Sequence, residues 1–92
     1  MRRIFKYELT VEDVQVVETF TLFEPLSVKV QKGIPVLYAI VDDETVPAEV
    51  KIRTYGTGFS VDPFTMKDEY VGSYLLHEGD LVFHVFCQPV VG

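Results

Sequence analysis

A glycine-rich turn near the middle of the chain is the first group of residues whose types and spacing suit a chemical function. Gly56-Thr57-Gly58 could place consecutive backbone N–H groups around a phosphate or carboxylate, with Lys51 and Arg53 as cationic neighbours. The motif lacks the lysine of a P-loop and does not open a helix as a dinucleotide fingerprint does. Two interpretations stay open: a turn that needs glycine, and an anion site in which the turn and Arg53 hold the phosphate.

Aromatic residues lie on both sides of this turn. Tyr55 directly precedes it, Phe59 directly follows it, and Phe64 and Tyr70 come shortly afterwards. If the protein binds a nucleotide, Tyr55 or Phe59 would stack on the flat base. The alternative role for these rings is to fill a contact between subunits.

The histidines and the cysteine do not form a catalytic or metal-binding pattern. His77, His84 and Cys87 show neither a C-x-x-C nor an H-x-x-x-H spacing, so no metal site and no cofactor are predicted. On one strand His84 and Cys87 point to opposite faces, which argues against a Cys–His pair. We therefore predict that the protein is not an enzyme, with Cys87 in the core and His84 as a structural, interface or ligand-binding residue.

The elements that must position these residues are β-strands. Apolar and polar residues alternate along most of the chain, which is typical of half-buried strands. The predicted strands cover residues 3–10, 14–22, 26–30, 35–41, 48–55, 70–76 and 81–87. Because turn residues separate them and no long helix is present, they predict one all-β domain over residues 1–92: a small antiparallel β-sandwich or barrel of about seven strands.

Several positions in this pattern have specific expected structures. Gln31-Lys32-Gly33 is expected to join two strands as a tight hairpin. Gly72, inside a strand, indicates a bulge or a close approach of the backbone. A short helical turn is expected from Asp62 to Lys67, with Asp62 as the N-cap and Pro63 in the first position.

The alternation also predicts which side chains face the core. Leu26 and every second residue after it, up to Val30, should point inward, whereas Arg53 and Tyr55 should point outward. The run 35–41 is apolar on both faces. Such a run indicates a strand in the middle of the domain or one that a partner covers.

The composition narrows the class of partner. Of the 92 residues 48% are hydrophobic, and the mean hydropathy is +0.20. A small monomer cannot easily bury so much apolar surface, so we expect a homo-oligomer. The net charge of −6 and the pI near 4.7 argue against nucleic acids and membranes as partners. A single cysteine, no signal peptide and no apolar stretch of membrane-spanning length favour a protein of the cytoplasm.

Five short segments occur in this order along the chain: Lys6–Leu9, Val28–Gly33, Tyr55–Gly58, Tyr70–Ser73 and Leu81–Phe86. Taken together, they resemble a family of small uncharacterised proteins of tailed bacteriophages and prophages. The resemblance covers nearly the whole chain. Where that family usually shows Leu-Trp-Ala-Leu-Val-Asp, this chain has Leu37–Asp42 with Tyr38 in place of the tryptophan, which suits a structural position better than a catalytic one.

The resemblance implies a biological context rather than an activity. It implies an accessory phage protein, made in the host bacterial cytoplasm, that acts on a host protein or sequesters a small nucleotide signal of host defence. We therefore predict a non-enzymatic, homo-oligomeric binding module without a cofactor. Its predicted ligand-binding residues are Arg53, Tyr55, Gly56, Thr57, Gly58, Phe59 and His84. A structural or assembly component of the virion is the alternative.

Overall fold

The computed structural model describes residues 1–77 and 79–88, so Glu78 and residues 89–92 of the predicted domain lie outside it. The strands are β1 (Arg2–Glu8), β2 (Val14–Phe20), β3 (Phe23–Gln31), β4 (Ile34–Asp42), β5 (Pro47–Gly56), β6 (Glu69–Leu76) and β7 (Leu81–Cys87). They form a three-stranded sheet with the order β1-β4-β3 and a four-stranded sheet with the order β2-β5-β7-β6. All pairings are antiparallel, and the predicted all-β sandwich of seven strands is confirmed.

The core lies between the two sheets and takes alternate residues from each. Leu37, Ala39 and Val41 project into it from β4, and Ile52 and Val85 project into it from β5 and β7. Each of these five side chains is at most 1% exposed. In the described part of the chain, no helix is long and apolar enough to cross a membrane.

The two-sided apolar pattern of β4 arises from its central position in the three-stranded sheet. β1 and β3 flank it along its length. On the face away from the core, Val36 is 2% exposed and Tyr38 and Ile40 are half-buried. This run is therefore a strand in the middle of the domain, and its burial does not itself require a partner.

The predicted tight hairpin between β3 and β4 is present, and its turn has two residues. Gln31 pairs with Ile34, and the two residues between them, Lys32 and Gly33, have φ angles of 51° and 79°. Positive φ at both central positions is the geometry whose twist matches a β-hairpin. Gly33 adopts it without the steric cost that a side chain would carry.

The prediction that Leu26 faces inward is wrong. β3 runs through Pro25 without interruption, but its register against β4 shifts between Pro25 and Ser27. The shift makes Leu26 the extra residue of a bulge, 45% exposed, while Val28 returns to the core at 7% exposed. Val30, near the end of the strand, is 36% exposed. Since a bulge inserts one residue and reverses the facing of what precedes it, the alternation of the sequence alone could not reveal this.

Gly72 lies at a second bulge, where the edges of the two sheets come close together. The register of β6 against β7 shifts between Tyr70 and Gly72, and Gly72 has a φ of 156°. A Cβ atom added there would lie 3.3 Å from Cγ1 of Val28 in β3. The predicted bulge and the predicted close approach are both present, and they bring β3 against β6 on one side of the sandwich.

Replacing Gly72 by alanine is expected to lower the free energy of unfolding by roughly 1–3 kcal/mol, because the new methyl group would meet Val28 and the backbone conformation disfavours a side chain. The measurement is urea unfolding followed by circular dichroism. Gly58→Ala is the matched control, since Gly58 also has a positive φ, of 89°, but nothing lies within 4 Å of its added Cβ. A loss at Gly72 no larger than the loss at Gly58 would show that the contact with Val28 has no energetic role.

Candidate functional site

The candidate site is built around residues 57–68, here called the covering segment, which connects β5 to β6. The segment leaves β5 at Gly56, contains a short 3₁₀ helix (Pro63–Lys67) and returns to the sheet at Glu69. Its polar groups contact Arg53 and Tyr55 on the outer face of β5. The longest irregular stretch of the sequence is therefore a layer over the four-stranded sheet.

The 3₁₀ helix begins and ends as its sequence predicts. The carboxylate of Asp62 caps it by accepting a hydrogen bond from the Phe64 N–H at 2.9 Å, and Pro63 occupies the first turn, where no N–H is needed. The N–H of Asp68 donates to the Thr65 carbonyl at 2.9 Å and closes the last turn. The expected helical turn from Asp62 to Lys67 is confirmed.

Arg53 and Asp68 form an ion pair beneath the covering segment. The side chain of Arg53 is 10% exposed and that of Asp68 is 2% exposed. The hydrogen bond to Asp68 raises the pKa of the Arg53 guanidinium above its ordinary value, so the guanidinium stays charged. Arg53 does lie on the outer face of its strand, as predicted, but the covering segment buries it. Its cation is engaged by a carboxylate and is not free for the phosphate that an anion site would hold.

Tyr55 holds the covering segment at a second point. Its hydroxyl lies 2.8 Å from Oγ1 of Thr65 and accepts a hydrogen bond from the Asp62 N–H at 3.3 Å. Thr65 is 2% exposed, so this contact is shielded from water. The ring of Tyr55 meets Phe86 edge-on, with the ring centroids 6.1 Å apart. Both ends of Tyr55 thus have partners within the chain.

Two backbone N–H groups at the Gly56-Thr57-Gly58 turn, those of Thr57 and Phe59, are hydrogen-bonded within the chain. The Thr57 N–H donates to the Val82 carbonyl at 3.1 Å, and the Phe59 N–H donates to the Gly56 carbonyl at 3.1 Å. A cavity of about 330 Å³ lies beside the turn, and its lining includes the carboxylate-bearing Asp80 together with Phe59 and other apolar residues. The geometry is that of a turn that needs glycine, with a positive φ at Gly58.

His84 lies on the outer face of β7 and Cys87 on the inner face, so the two are not brought together. Nε2 of His84 is 2.8 Å from Oγ1 of Thr57, which ties β7 to the start of the covering segment. The Tyr70 ring lies beside His84, with the centroids 6.5 Å apart. Among the described residues, no group of three or more His, Cys, Asp or Glu side chains could hold a metal ion.

The covering segment has a reversed amphipathic character: the side chains of Thr65 and Asp68 are buried against the protein, whereas its large apolar side chains face solvent. Asp62, Thr65 and Asp68 are three residues apart, which is one turn of a 3₁₀ helix. Thr65 and Asp68 contact Tyr55 and Arg53 through their side chains, and Asp62 contacts Tyr55 through its backbone N–H. The apolar side chains of the segment are exposed: Phe59 (67%), Val61 (47%), Phe64 (67%) and Met66 (85%).

Sequence reasoning found Phe59 and Phe64 but missed Met66, Val61 and the anchoring role of Asp68. The available signal was the three-residue spacing of Asp62, Thr65 and Asp68. That spacing marks one face of a 3₁₀ helix, but it does not tell which face meets the sheet. Polar residues are normally assigned to the solvent side, and here this assignment is reversed.

Comparison with protein-family models matches residues 1–91 to the domain of unknown function DUF7352, and the chain therefore belongs to that family. The resemblance to an uncharacterised family is confirmed to this extent. Neither the curated proteins nor the solved structures contain a match to the chain.

Proposed function

We propose that this member of the DUF7352 family is a non-enzymatic binding module that works as a homo-oligomer and uses the covering segment to bind another protein. The observation that carries the proposal is the reversed amphipathic character of this segment. The side chains of Thr65 and Asp68 fix it to the sheet, while Phe59, Phe64 and Met66 are 67–85% exposed. Apolar side chains displayed at this density on a soluble domain mark interaction sites.

The size of the exposed surface suits a protein partner. Phe59, Val61, Phe64 and Met66, together with Tyr70 at 53% exposed, present roughly 600 Å² of side-chain surface if a large side chain exposes ~200 Å² when free. This is at the upper end of the largest patch on a typical monomer. It approaches the ~800 Å² that each partner contributes to a standard interface.

The way the segment is anchored supports tight binding. The Arg53–Asp68 ion pair and the Tyr55–Thr65 hydrogen bond hold its backbone from below. A surface that is already ordered loses less conformational entropy when a partner binds than a mobile loop does. Aromatic and methionine side chains on such a rigid support are the residue types that are enriched in interface cores.

A protein partner is favoured over a nucleotide by the charges at the site. Arg53 is engaged by Asp68, two backbone N–H groups of the glycine turn are hydrogen-bonded within the chain, and Asp80 lines the adjacent cavity. A phosphate placed there would meet a carboxylate rather than a free cation, which is unfavourable. The ligand-binding role is therefore assigned to Phe59 and its exposed neighbours, with Arg53 and Tyr55 as supports.

The biological setting follows from the segments that resemble small proteins of tailed phages and prophages. In this proposal the protein is a phage accessory product that acts on a host protein in the bacterial cytoplasm. The net charge of −6 favours a protein partner over a nucleic acid, because a negative surface is repelled by the phosphate backbone.

The test compares proteins retained from a bacterial host lysate by the wild-type chain and by the double variant Phe64→Ser/Met66→Ser, quantified by mass spectrometry. Both side chains are largely exposed, so the variant should fold normally. Loss of two interface-core residues should reduce retention of a specific partner by roughly tenfold or more. Val46→Ser is the matched control, since Val46 is 71% exposed in the β4–β5 connection, and it should retain the partner fully.

Each alternative outcome has a definite meaning. Equal retention by the double variant would reject the covering segment as the binding surface. A native mass that exceeds the chain by a few hundred daltons would replace the protein partner by a captured small molecule. Detection of the protein in purified virions would replace the host-directed role by a structural one.

A further inference from the structure

The four edge strands of the sandwich differ in how well their edges are protected. β3 and β6 each carry a bulge, and they approach each other at Val28 and Gly72. β1 and β2, the other two edges, pair in regular register over their whole length. Regular edges without proline or a bulge are the ones that can accept a further strand.

The backbone of β1 turns the donors and acceptors of every second residue toward its free edge. The Leu9 N–H donates to the carbonyl of Pro35 directly opposite, at 2.9 Å. Because hydrogen-bonded and non-hydrogen-bonded pairs alternate along an antiparallel ladder, the odd-numbered residues of β1 face β4. Arg2, Ile4, Lys6 and Glu8 therefore present their N–H and C=O groups outward.

We propose that a second copy of this chain pairs with this edge, β1 against β1, in antiparallel register centred on Phe5. In this register Arg2 lies opposite Glu8 of the second copy, and Ile4 lies opposite its Lys6. The inference rests on the homo-oligomer of the proposed function and names its interface. It joins the two three-stranded sheets into one continuous sheet of six strands.

The charges on β1 favour a second copy over an unrelated strand. The strand is basic at its start, at Arg2 and Arg3, and acidic at its end, at Glu8, so an antiparallel copy places opposite charges together at both ends. Within the described residues, Arg2, Lys6 and Glu8 have no ion-pair partner within 4 Å. The side chain of Ile4 is 64% exposed, and it would be covered.

The edge of β2 does not share this self-complementarity. The Thr54 N–H donates to the Asp13 carbonyl, so the odd-numbered residues of β2 face β5 and the backbone groups of Val14, Val16 and Glu18 face the free edge. β2 contains no Lys or Arg, so a copy of itself would add acidic groups without any basic partner. β2 therefore provides the control strand for an experiment on β1.

The proposed dimer has a geometric consequence for binding. The two-fold axis runs perpendicular to the joined sheet, since residues on one face of β1 meet residues on the same face of its copy. Both covering segments then lie on the same side of the dimer, on the opposite layer from the joined sheet. Two binding surfaces displayed together would raise the avidity for a partner that has repeated sites.

The first test replaces Lys6 by proline and measures the mass in solution by sedimentation equilibrium. The N–H of Lys6 faces the free edge, so proline there removes an intermolecular donor without removing a β1–β4 hydrogen bond. The wild-type chain should have twice the 10.5 kDa of one chain, Lys6→Pro should have the monomer mass, and the control Val16→Pro in β2 should remain a dimer. Circular dichroism reports whether each variant is folded.

A charge exchange tests the register without relying on proline. Arg2→Glu and Glu8→Arg should each raise the dissociation constant of the dimer by about tenfold, because each places like charges opposite one another. The double variant Arg2→Glu/Glu8→Arg restores opposite charges and should return the constant to within about threefold of the wild-type value. Failure of the double variant to recover would reject the register.

The outcomes separate this interface from the proposed function. Two results would overturn the β1 interface. One is a wild-type chain that stays monomeric up to ~100 µM, because a dimer with a higher dissociation constant would be too weak to be useful. The other is a Lys6→Pro variant that remains dimeric. A monomeric Lys6→Pro variant that still retains the lysate partner would leave the covering segment as the binding surface. A wild-type dimer without a lysate partner would reject the proposed function and leave the interface standing.

Discussion

Replacing Asp68 by alanine is expected to lower the free energy of unfolding by about 3–5 kcal/mol, because it leaves the buried guanidinium of Arg53 without its counter-charge. The Asp68 side chain is 2% exposed and that of Arg53 is 10% exposed, so the pair is largely shielded from water. A loss of this size is a large part of the stability of a small domain. Urea unfolding followed by tyrosine fluorescence measures it.

Two further variants show whether the charge is the cause. Lys67→Ala changes a neighbouring, exposed residue and should alter stability by no more than about 0.5 kcal/mol. Arg53→Met/Asp68→Leu removes both charges together and should recover most of the loss. If Asp68→Ala costs less than about 1 kcal/mol, a value typical of exposed pairs, the pair is not shielded as the structure shows.

The same variant links stability to the binding surface. Asp68 ends the covering segment, and its ion pair is one of the contacts that hold the segment on the sheet. In Asp68→Ala, limited proteolysis should cut first within residues 57–68, because a locally released segment is cleaved before the rest of the fold opens. Partner retention should fall with it, since the apolar side chains would no longer be held in one arrangement.

The thiol of Cys87 is expected to react with a disulfide reagent at pH 8 at least ~10³-fold more slowly in the folded protein than in the unfolded chain. Cys87 is 2% exposed, and burial, with a smaller contribution from the charges of Glu69 and Asp68, raises its pKa to about 12. The thiolate, which is the reactive form, is then almost absent at pH 8. Absorbance of the released reagent measures the rate with and without urea.

The raised pKa of Cys87 also determines how the free energy of unfolding changes with pH. Below the ordinary pKa of 9.0 the thiol is protonated in both the folded and the unfolded state, and its contribution to the free energy of unfolding is then fully present. Between pH 9 and about 12 only the unfolded chain loses the proton, so this group lowers the free energy of unfolding by about 1.4 kcal/mol per pH unit. Cys87→Ala should show a correspondingly shallower decline, and an equal decline in both proteins would reject the assignment.

Much of the fold could be predicted from local patterns. Alternation located most of the strands and a continuous apolar run located β4. The Gln31-Lys32-Gly33 segment identified the β3–β4 hairpin, and Asp62 followed by Pro63 identified the start of the 3₁₀ helix. Each of these features depends on residues within a few positions of one another, where steric and capping preferences act directly. The position of Leu26 could not be predicted, because a bulge depends on how two strands pair.

The candidate site shows the same division. The sequence by itself determined that Arg53 and Tyr55 share the outer face of β5, because side chains alternate between the two faces of a strand. It also determined that aromatic residues follow the glycine turn, because this depends only on chain order. Only the tertiary structure decided that residues 57–68 fold back over this face, bury Arg53 against Asp68 and leave Phe64 and Met66 exposed. The reason is that burial depends on which surface a segment meets, and an ion pair between residues 15 positions apart forms only when a loop returns to the sheet. The sequence therefore determines which residue types are available for binding, whereas the packing of the covering segment on the sheet determines which of them are exposed.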